Sequence, residues 1–288
     1  MLPPDEITVN GIFYTIDNIS DGRGWYNNLR KWDSDSKYKK RKYLKGSFHN
    51  TCYKYKNCNV YDWRIDGDMD LIIRLHDGTK TIIKVRKAEK DILSSMKKLH
   101  MRLKDEQPNC RGNKCGDIGD MYSLGERDDD EFSLSSQNSD IQLMMKEIGD
   151  KCSTWFRKEF NNEFEAMEQL KEKKGSLHYM TNSPTPFMVI NRNLANSSHY
   201  DKGDNCHTIT TWSEETVGNT MNWKFIFPNV TVGYERKATA ICLSDGVAIS
   251  WDAALLRHGS TRTTEKNAGC GSCFGTAIAR KKGNRRRK

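Results

Sequence analysis

The amino-acid sequence predicts an α+β protein in which helices pack on one face of a jelly-roll or related barrel. Over residues 139–170, apolar side chains recur every three or four residues, which is the spacing of one buried helical face. From residue 178 to residue 280 the pattern changes to short β-type runs between turn residues, with no helical period. The chain has 288 residues, enough to bury a sizeable core between these parts.

Residues 1–104 are predicted to form an N-terminal α/β extension. Its first strand is expected around Ile7–Ile16. Two β-type runs, Leu71–His76 and Thr79–Val85, flank Asp77-Gly78, a two-residue turn signal that predicts a hairpin. A helix is expected to follow, and its buried stripe is predicted to consist of Ile92, Leu93, Met96, Leu99 and Leu103.

Residues 105–138 are rich in Asp, Glu, Ser, Asn and Gly, so they are predicted to be an acidic polar linker or insertion without regular structure. Residues 139–282 are predicted to hold the core, which opens with a helix that is capped by the Ser139 hydroxyl and ends near Gly175. Residues 283–288 form a basic tail. The candidate strands of the core are Phe187–Arg192, Ser198–Asp201, Thr208–Trp212, Trp223–Phe227, Thr239–Leu243, Val247–Trp251 and Cys273–Arg280.

The formal net charge of +9 is concentrated in two basic runs, Lys37–Lys45 and Arg280–Lys288, whereas Asp128–Glu131 is an acidic run. Basic runs of this kind bind polyanions such as nucleic acid, or serve only as a solvated surface. The first ten residues lack the apolar segment of a signal peptide, and no run reaches the length of a membrane span. We therefore expect no membrane partner and a soluble protein of the nucleus or the cytoplasm.

The nine cysteines lack the regular spacing of small disulfide-rich proteins, so reduced thiols are expected. Cys270 and Cys273 have the spacing of half a zinc site or of a redox pair. A structural zinc ion would need a second pair of ligands, and an isolated C-x-x-C is common by chance.

Three residues of the C-terminal region form a candidate metal site. His199 and Asp201 are two residues apart in a predicted strand, which places both side chains on the same face. His258 follows another predicted strand. It is far enough along the sequence from Asp201 for the barrel to fold back on itself and bring the two residues together. Two histidines and one carboxylate are the ligands of mononuclear non-haem iron, and they leave positions on Fe(II) open for O2 and a second co-substrate. A metal-free barrel and a cupin-like binder are the alternatives, because H-x-D by itself arises readily by chance.

The surroundings of these residues resemble the TET and J-binding-protein group of the iron/2-oxoglutarate oxygenase superfamily, especially its algal members that modify 5-methylcytosine. The resemblance covers about residues 185–280. The segments that carry it are Ser198–Asp204, Trp223–Asn229, Asp245-Gly246, Ile249–Asp252 and Arg257-His258.

This resemblance implies a double-stranded β-helix oxygenase core that binds Fe(II) through His199, Asp201 and His258. It also implies an Fe(II)-dependent dioxygenase that oxidises the methyl group of 5-methylcytosine or thymine in methylated DNA, with O2 as oxidant. One alternative is an oxygenase of the same chemistry that acts on a protein side chain or a small molecule. The other is an inactive barrel that only binds nucleic acid.

The co-substrate is left open by one departure from the superfamily. Most 2-oxoglutarate oxygenases place an Arg or Lys at the start of the last strand, where it binds the far carboxylate of the co-substrate. The corresponding stretch, residues 268–273, has no basic residue, and Arg262 and Arg280 are the candidate substitutes. The algal enzymes that the chain resembles are associated with ascorbate, and Asp204 could accept hydrogen bonds from its hydroxyl groups. Asp204 could equally cap the turn in which it lies.

Several other residues are weaker candidates for the site. His207 is expected to lie near the ligands or on the surface rather than to bind the metal. Trp212, Trp223 and Trp251 are candidate platforms for an extruded base, although Trp in a β-rich region more often belongs to the core.

Overall fold

The computed structural model describes residues 5–9, 12–16, 18–19, 60–63, 71–74, 81–108, 118–125, 138–174, 183, 185, 187–201, 203–215, 223–232, 237–261 and 269–276. The helices are α1 (Lys90–Arg102), α2 (Ser139–Glu159) and α3 (Asn161–Lys174), with a 3₁₀ turn at Leu103–Asp105. The strands are β1 (Asp5–Val9), β2 (Ile12–Ile16), β3 (Asn18–Ile19), β4 (Val60–Trp63), β5 (Leu71–Arg74), β6 (Thr81–Lys87), β7 (Ile118–Gly125), β8 (Phe187–His199), β9 (His207–Glu214), β10 (Lys224–Val232), β11 (Lys237–Cys242), β12 (Val247–Asp252), β13 (His258–Ser260) and β14 (Gly269–Gly275).

The core is a double-stranded β-helix, as predicted. One sheet has the order β6-β12-β9-β14-β8 and the other the order β8-β13-β10-β11, with antiparallel neighbours throughout. Strand β8 belongs to both sheets, because its first half pairs with β14 and its end pairs with β13. The two strands predicted at Phe187–Arg192 and Ser198–Asp201 are therefore one strand. Asn193 has a φ of 48° between the two halves, a conformation that asparagine tolerates better than most residues.

Strands from the N-terminal region extend both sheets. The predicted hairpin is confirmed as β5 and β6, and β6 pairs with β12 at the edge of the core. The single strand predicted at Ile7–Ile16 is instead a pair of antiparallel strands, β1 and β2. Strand β4 pairs in parallel with β11, and β3 pairs with β10. The basic run Lys37–Lys45 lies outside the described residues.

The helices cover one face of the larger sheet. Helix α1 is confirmed, and its predicted stripe is buried against α2 and the sheet. The expectation of one unbroken helix after residue 139 is wrong, since α2 ends at Glu159 and the next residue, Phe160, has a φ of −126° and a ψ of 45°, which are not helical. Ser139 is the first helical residue rather than the cap; the N-cap is Asn138, and no side-chain hydrogen bond caps the helix. None of the described helices is long and apolar enough to cross a membrane.

Residues 118–125 form a strand inside the segment that was expected to lack regular structure. Strand β7 pairs with β8 over most of its length. Its side chains alternate, and Tyr122 and Leu124 are buried against the helices. The strand is hard to recognise in the sequence for two reasons. Acidic residues surround it, and its apolar alternation covers only a few positions.

The two thiols of the C-x-x-C sequence are separated by the strand that carries them. Three residues along a strand reverse the side-chain direction, so Cys270 and Cys273 point to opposite faces of β14. Cys270 is buried in the core beneath the helices, where burial raises the pKa of its thiol. This geometry rules out a shared zinc ion or a disulfide between the two residues.

A buried histidine links α1 to two strands of the core. The two ring nitrogens of His100 lie 2.9 Å from the hydroxyl oxygens of Ser213 in β9 and Ser272 in β14. Burial lowers the pKa of His100 from 6.5 to about 3, and the positive charges of Lys97 and Arg192 act in the same direction, against the opposing effect of Glu215. The histidine is therefore neutral in the folded protein at ordinary pH.

This histidine is expected to make the folded state sensitive to acid. The unfolded chain takes up the proton near pH 6.5 and the folded chain only near pH 3. The stabilisation of the folded state by neutral His100 is therefore complete above pH 6.5, and it is lost progressively as the pH falls from 6.5 to 3. At pH 4.5 the loss is about 3 kcal/mol relative to pH 7. Urea unfolding of the wild type and of His100→Gln at both pH values measures it. The account fails if the two proteins lose the same free energy of unfolding on acidification.

Candidate metal centre

The three predicted ligands lie together where β8 and β13 meet. His199 is the last residue of β8, and His258, the first residue of β13, is its cross-strand partner. Asp201 follows β8, outside the strand, and its backbone N–H donates to the carbonyl of Ala253 at 2.9 Å. This bond joins the loop after β8 to the turn that precedes β13, so both ligand-bearing segments are fixed to each other.

The donor atoms of the three side chains converge. Nε2 of His258 lies 3.3 Å from Oδ2 of Asp201, and Nε2 of His199 lies 3.6 Å from Oδ1 of the same carboxylate. The two imidazole rings have centroids 4.5 Å apart. All three residues offer a ligand atom within 4.8 Å of the others, the one such group found in the described part of the chain.

The tautomer of His258 is fixed by the backbone. Its Nδ1 lies 2.9 Å from the carbonyl oxygen of Leu256, which only accepts hydrogen bonds, so Nδ1 carries the proton. In the neutral ring, Nε2 then presents a lone pair toward the Asp201 carboxylate. Two electron-rich groups that face each other are stabilised by a cation between them, and a backbone carbonyl on the other ring nitrogen is the usual support of a metal-binding histidine.

The site is closed on one side and open on the other. The side chain of His258 is 3% exposed, whereas those of His199 and Asp201 are 34% and 41% exposed. Phe225 stacks on the His258 ring at 5.7 Å, and Trp251 meets it edge-on at 5.2 Å. Aromatic packing thus holds His258 from inside the barrel, and the other two ligands face solvent.

The donor set fits a divalent iron ion. Donor atoms about 2.1 Å from a metal and at right angles to each other are separated by about 3 Å, close to the 3.3 Å and 3.6 Å separations found here. Two imidazole nitrogens and one carboxylate on adjacent positions leave the opposite face of an octahedral ion free. His199, Asp201 and His258 are therefore able to hold Fe(II) with coordination positions open toward solvent.

A cation–π pair lies at the rim of this open face. The guanidinium of Arg257 is 5.8 Å from the ring centroid of Tyr200, and each residue is adjacent in sequence to a candidate ligand. Leu255 in the same turn is 44% exposed. Tyr200 and its pairing with Arg257 were not predicted from the sequence, although both residues lie beside candidate ligands in the sequence.

The candidate co-substrate residues are placed only in part. The carboxylate of Asp204 accepts a hydrogen bond from the Thr208 hydroxyl, and its backbone N–H donates to the carbonyl of Asp201 at 2.9 Å. Asp204 therefore closes the turn after the ligands, which favours its turn-capping alternative, and its role toward a co-substrate stays a prediction. Arg262 and Arg280 lie outside the described residues.

Other predicted residues belong to the barrel interior or its supports. His207 is buried, and its Nδ1 lies 3.0 Å from the Ser250 hydroxyl, outside the candidate metal site. Trp212, Trp223 and Trp251 are 5%, 1% and 3% exposed, so all three are core residues and not exposed platforms for a base.

The described part of the last strand presents no basic side chain toward the barrel interior. The face of β14 opposite Cys270 carries Gly271, Cys273 and Gly275. A Cβ atom at Gly271 would lie 3.0 Å from the Trp212 indole nitrogen, and one at Gly275 would lie 2.8 Å from the Phe187 ring. Aromatic rings thus occupy the space that a larger side chain at Gly271 or Gly275 would need.

Comparison with known proteins supports the fold. No protein-family model matches the chain, and no curated protein matches it. Solved structures that resemble it include NgTET1 in complex with 5mC DNA, with a TM-score of 0.53 and 10% identity over 81% of this chain and 90% of that chain. OsALKBH1 has a TM-score of 0.39 and 13% identity over 68% and 96% of the two chains. An oxidoreductase of the 2OG-Fe(II) oxygenase family from Burkholderia pseudomallei has a TM-score of 0.40 and 15% identity over 69% and 88%. The likeness to NgTET1 shows a shared double-stranded β-helix fold.

Proposed function

We propose that this chain is an Fe(II)-dependent dioxygenase that oxidises the methyl group of 5-methylcytosine, or of thymine, in DNA. The observation that carries the proposal is the convergence of His199, Asp201 and His258 within 4.8 Å, with the tautomer of His258 set for metal binding. Fe(II) held by these residues would supply the reductive activation of O2. The protein's part is to hold the three donors, keep one face open and exclude water from the side of His258.

The choice of DNA as substrate has separate support. The fold likeness extends over 81% of the chain to a structure, NgTET1, that was solved with 5mC DNA. The formal net charge of +9 favours a polyanionic partner. Arg257 lies beside the candidate metal site, where its guanidinium could contact a phosphate next to an extruded base.

The co-substrate is proposed to be 2-oxoglutarate or ascorbate. An acidic co-substrate with a far carboxylate finds no Arg or Lys on the described residues of β14, and Trp212 and Phe187 fill the space there. The hydroxyl-bearing side chain of ascorbate needs no such partner, because neutral donors and acceptors of the protein can bind hydroxyl groups.

Incubation with a duplex that contains 5-methylcytosine tests the proposed substrate. Protein reconstituted with Fe(II) in air is expected to convert 5-methylcytosine in the presence of one of the two co-substrates, each supplied alone. Mass spectrometry of the digested nucleosides measures the loss of 5-methylcytosine, and the same reaction without iron is the control. If iron binds and neither co-substrate supports any loss from 5-methylcytosine or thymine duplexes, DNA methyl groups are not the substrate.

A further inference from the structure

The two histidines of the candidate metal site pair across a break in the register of β8 and β13. In β13, Ser260 has Asn196 of β8 as its cross-strand partner. Two residues earlier in β13, His258 pairs with His199, which lies three residues beyond Asn196 in β8. Two residues of β8 therefore lie opposite one residue of β13, which is a β-bulge. The bulge lies directly before His199, so it determines the direction of that side chain.

The extra residue in β8 decides which side chain shares a face with His258. Directly opposed residues of antiparallel strands share a face, and so do alternate residues along each strand. Without a bulge, the register set at Ser260 and Asn196 would continue to His258. Its partner would then be Ser198, and His199 would point to the other face of the sheet. The bulge instead places His199 opposite His258, with ring centroids 4.5 Å apart, so the metal site depends on it.

Side chains replace regular ladder bonds at the bulge. The backbone N–H of Ser260 donates to Oδ1 of Asn196 at 2.7 Å, so a side-chain oxygen is its acceptor in place of a backbone carbonyl. The Ser260 hydroxyl donates to the carbonyl oxygen of Leu194 at 2.8 Å and lies 2.9 Å from the same Asn196 oxygen. The indole N–H of Trp223 also donates to the Leu194 carbonyl, at 3.2 Å. These bonds hold β8 in its bulged path.

The backbone pairing around the bulge is too short to fix the register by itself. Strand β13 has three residues, and it pairs with β8 at two positions, one on each side of the break. Ser260 is 5% exposed, so its N–H has little access to water. Without the Asn196 oxygen, this N–H is satisfied by a slide of the strands toward a regular ladder, which is the register that turns His199 away.

We propose that Asn196 is a positioning residue of the metal centre, which holds the bulge that turns His199 toward His258. The inference rests on the proposed function, because it takes His199, Asp201 and His258 as ligands of Fe(II). Asn196 acts through the register of the two strands and supplies no donor atom to the ion. It adds to the site a residue that the H-x-D spacing does not include.

Two substitutions of similar size test the acceptor oxygen. Asn196→Leu removes it, whereas Asn196→Asp retains an oxygen that accepts from Ser260. Asn196→Leu is expected to weaken anaerobic Fe(II) binding by about 10- to 100-fold and to change the rhombicity of the EPR signal of the iron–nitrosyl complex. Asn196→Asp is expected to keep the wild-type signal and an affinity within about threefold of wild type. Ser260→Ala, a smaller change, is expected to weaken Fe(II) binding by about three- to tenfold.

Thr261→Val is the matched control, because it removes a similar bond on the other side of the same chain segment. The Thr261 hydroxyl accepts from the backbone N–H of Lys224 at 2.8 Å, and the residue is 7% exposed. Its loss weakens the contact with β10 and leaves the bulge in place. Thr261→Val is therefore expected to lower the melting temperature, with Fe(II) affinity and EPR signal unchanged.

The outcomes separate positioning from a general loss of stability. Wild-type affinity and an unchanged signal in Asn196→Leu would overturn the proposal, as would equal losses in Asn196→Leu and Asn196→Asp. If Asn196→Leu does not fold, Ser260→Ala decides, and an Fe(II) affinity equal to that of Thr261→Val overturns the proposal. Failure of the wild type to bind Fe(II) would contradict the metal site and the positioning role with it. A wild type that binds Fe(II) and oxidises no DNA would contradict the proposed function alone, because these measurements need no substrate.

Discussion

Replacing His258 with alanine is expected to weaken binding of Fe(II) by at least about 100-fold and to abolish any oxidation of DNA methyl groups. The imidazole supplies one of three donors, and its Nε2 lies 3.3 Å from the Asp201 carboxylate. Without it, the two remaining donors form an incomplete and exposed site. Anaerobic titration with Fe(II) measures the affinity, and nucleoside mass spectrometry measures the activity.

His207→Ala is the matched control for this variant. His207 is also a buried histidine at the start of a core strand, but it bonds to Ser250 and lies outside the candidate site. Both substitutions remove a buried ring, so both cost stability, and only one removes a metal donor. Equal Fe(II) affinity in the two variants, or undiminished affinity in His258→Ala, would mean that the metal binds elsewhere.

Phe156→Ala in helix α2 is expected to lower the free energy of unfolding by about 3–5 kcal/mol. The ring is fully buried and lies 5.1 Å from Phe274 of β14 and 5.9 Å from Phe160, in edge-on contacts. It packs α2 against the strand whose other face lines the barrel interior. Its loss leaves a cavity between helix and sheet, and urea unfolding measures the cost.

Leu143→Ala in the same helix provides the comparison. Leu143 is 69% exposed, so its truncation is expected to change the free energy of unfolding by less than about 0.5 kcal/mol. If the two variants differ by less than about 1 kcal/mol, the helix does not depend on this contact for its place on the sheet.

The barrel and the candidate ligands could be predicted from the sequence, since both depend on local patterns. Short β-type runs at regular spacing indicated the strands, and the H-x-D spacing placed His199 and Asp201 together. The position of His258 after an apolar strand suggested that the chain folds back there toward His199 and Asp201. The pairing of His258 with His199 across β8 and β13 is a long-range contact, and β13 has only three residues, too few for a recognisable pattern.

Other features depend on tertiary contacts that leave little trace in the sequence. Strand β7 lies in an acidic segment, and pairing with β8 rather than composition keeps it extended. The break at Phe160 was missed because the apolar spacing runs through it without interruption. Buried apolar side chains lie both before and after the break. The sequence has no signal for the role of His100, because its two serine partners lie more than 100 positions away in the sequence.

The co-substrate could not be predicted from the sequence. The absence of a basic residue from residues 268–273 was visible, but its meaning depends on the space around Gly271 and Gly275. Trp212 and Phe187 fill that space from strands distant in sequence.

Nitric oxide binding to the Fe(II)-loaded protein tests the central claim most directly. An iron ion held by His199, Asp201 and His258 has open positions, so anaerobic addition of nitric oxide is expected to give the high-spin EPR signal of an iron–nitrosyl complex, with one iron per chain. The signal should vanish in Asp201→Ala, whose side chain is 41% exposed in the wild type, so that the fold should tolerate the change. A wild-type protein that gives no such signal, or an Asp201→Ala protein that gives it at full intensity, would contradict the account.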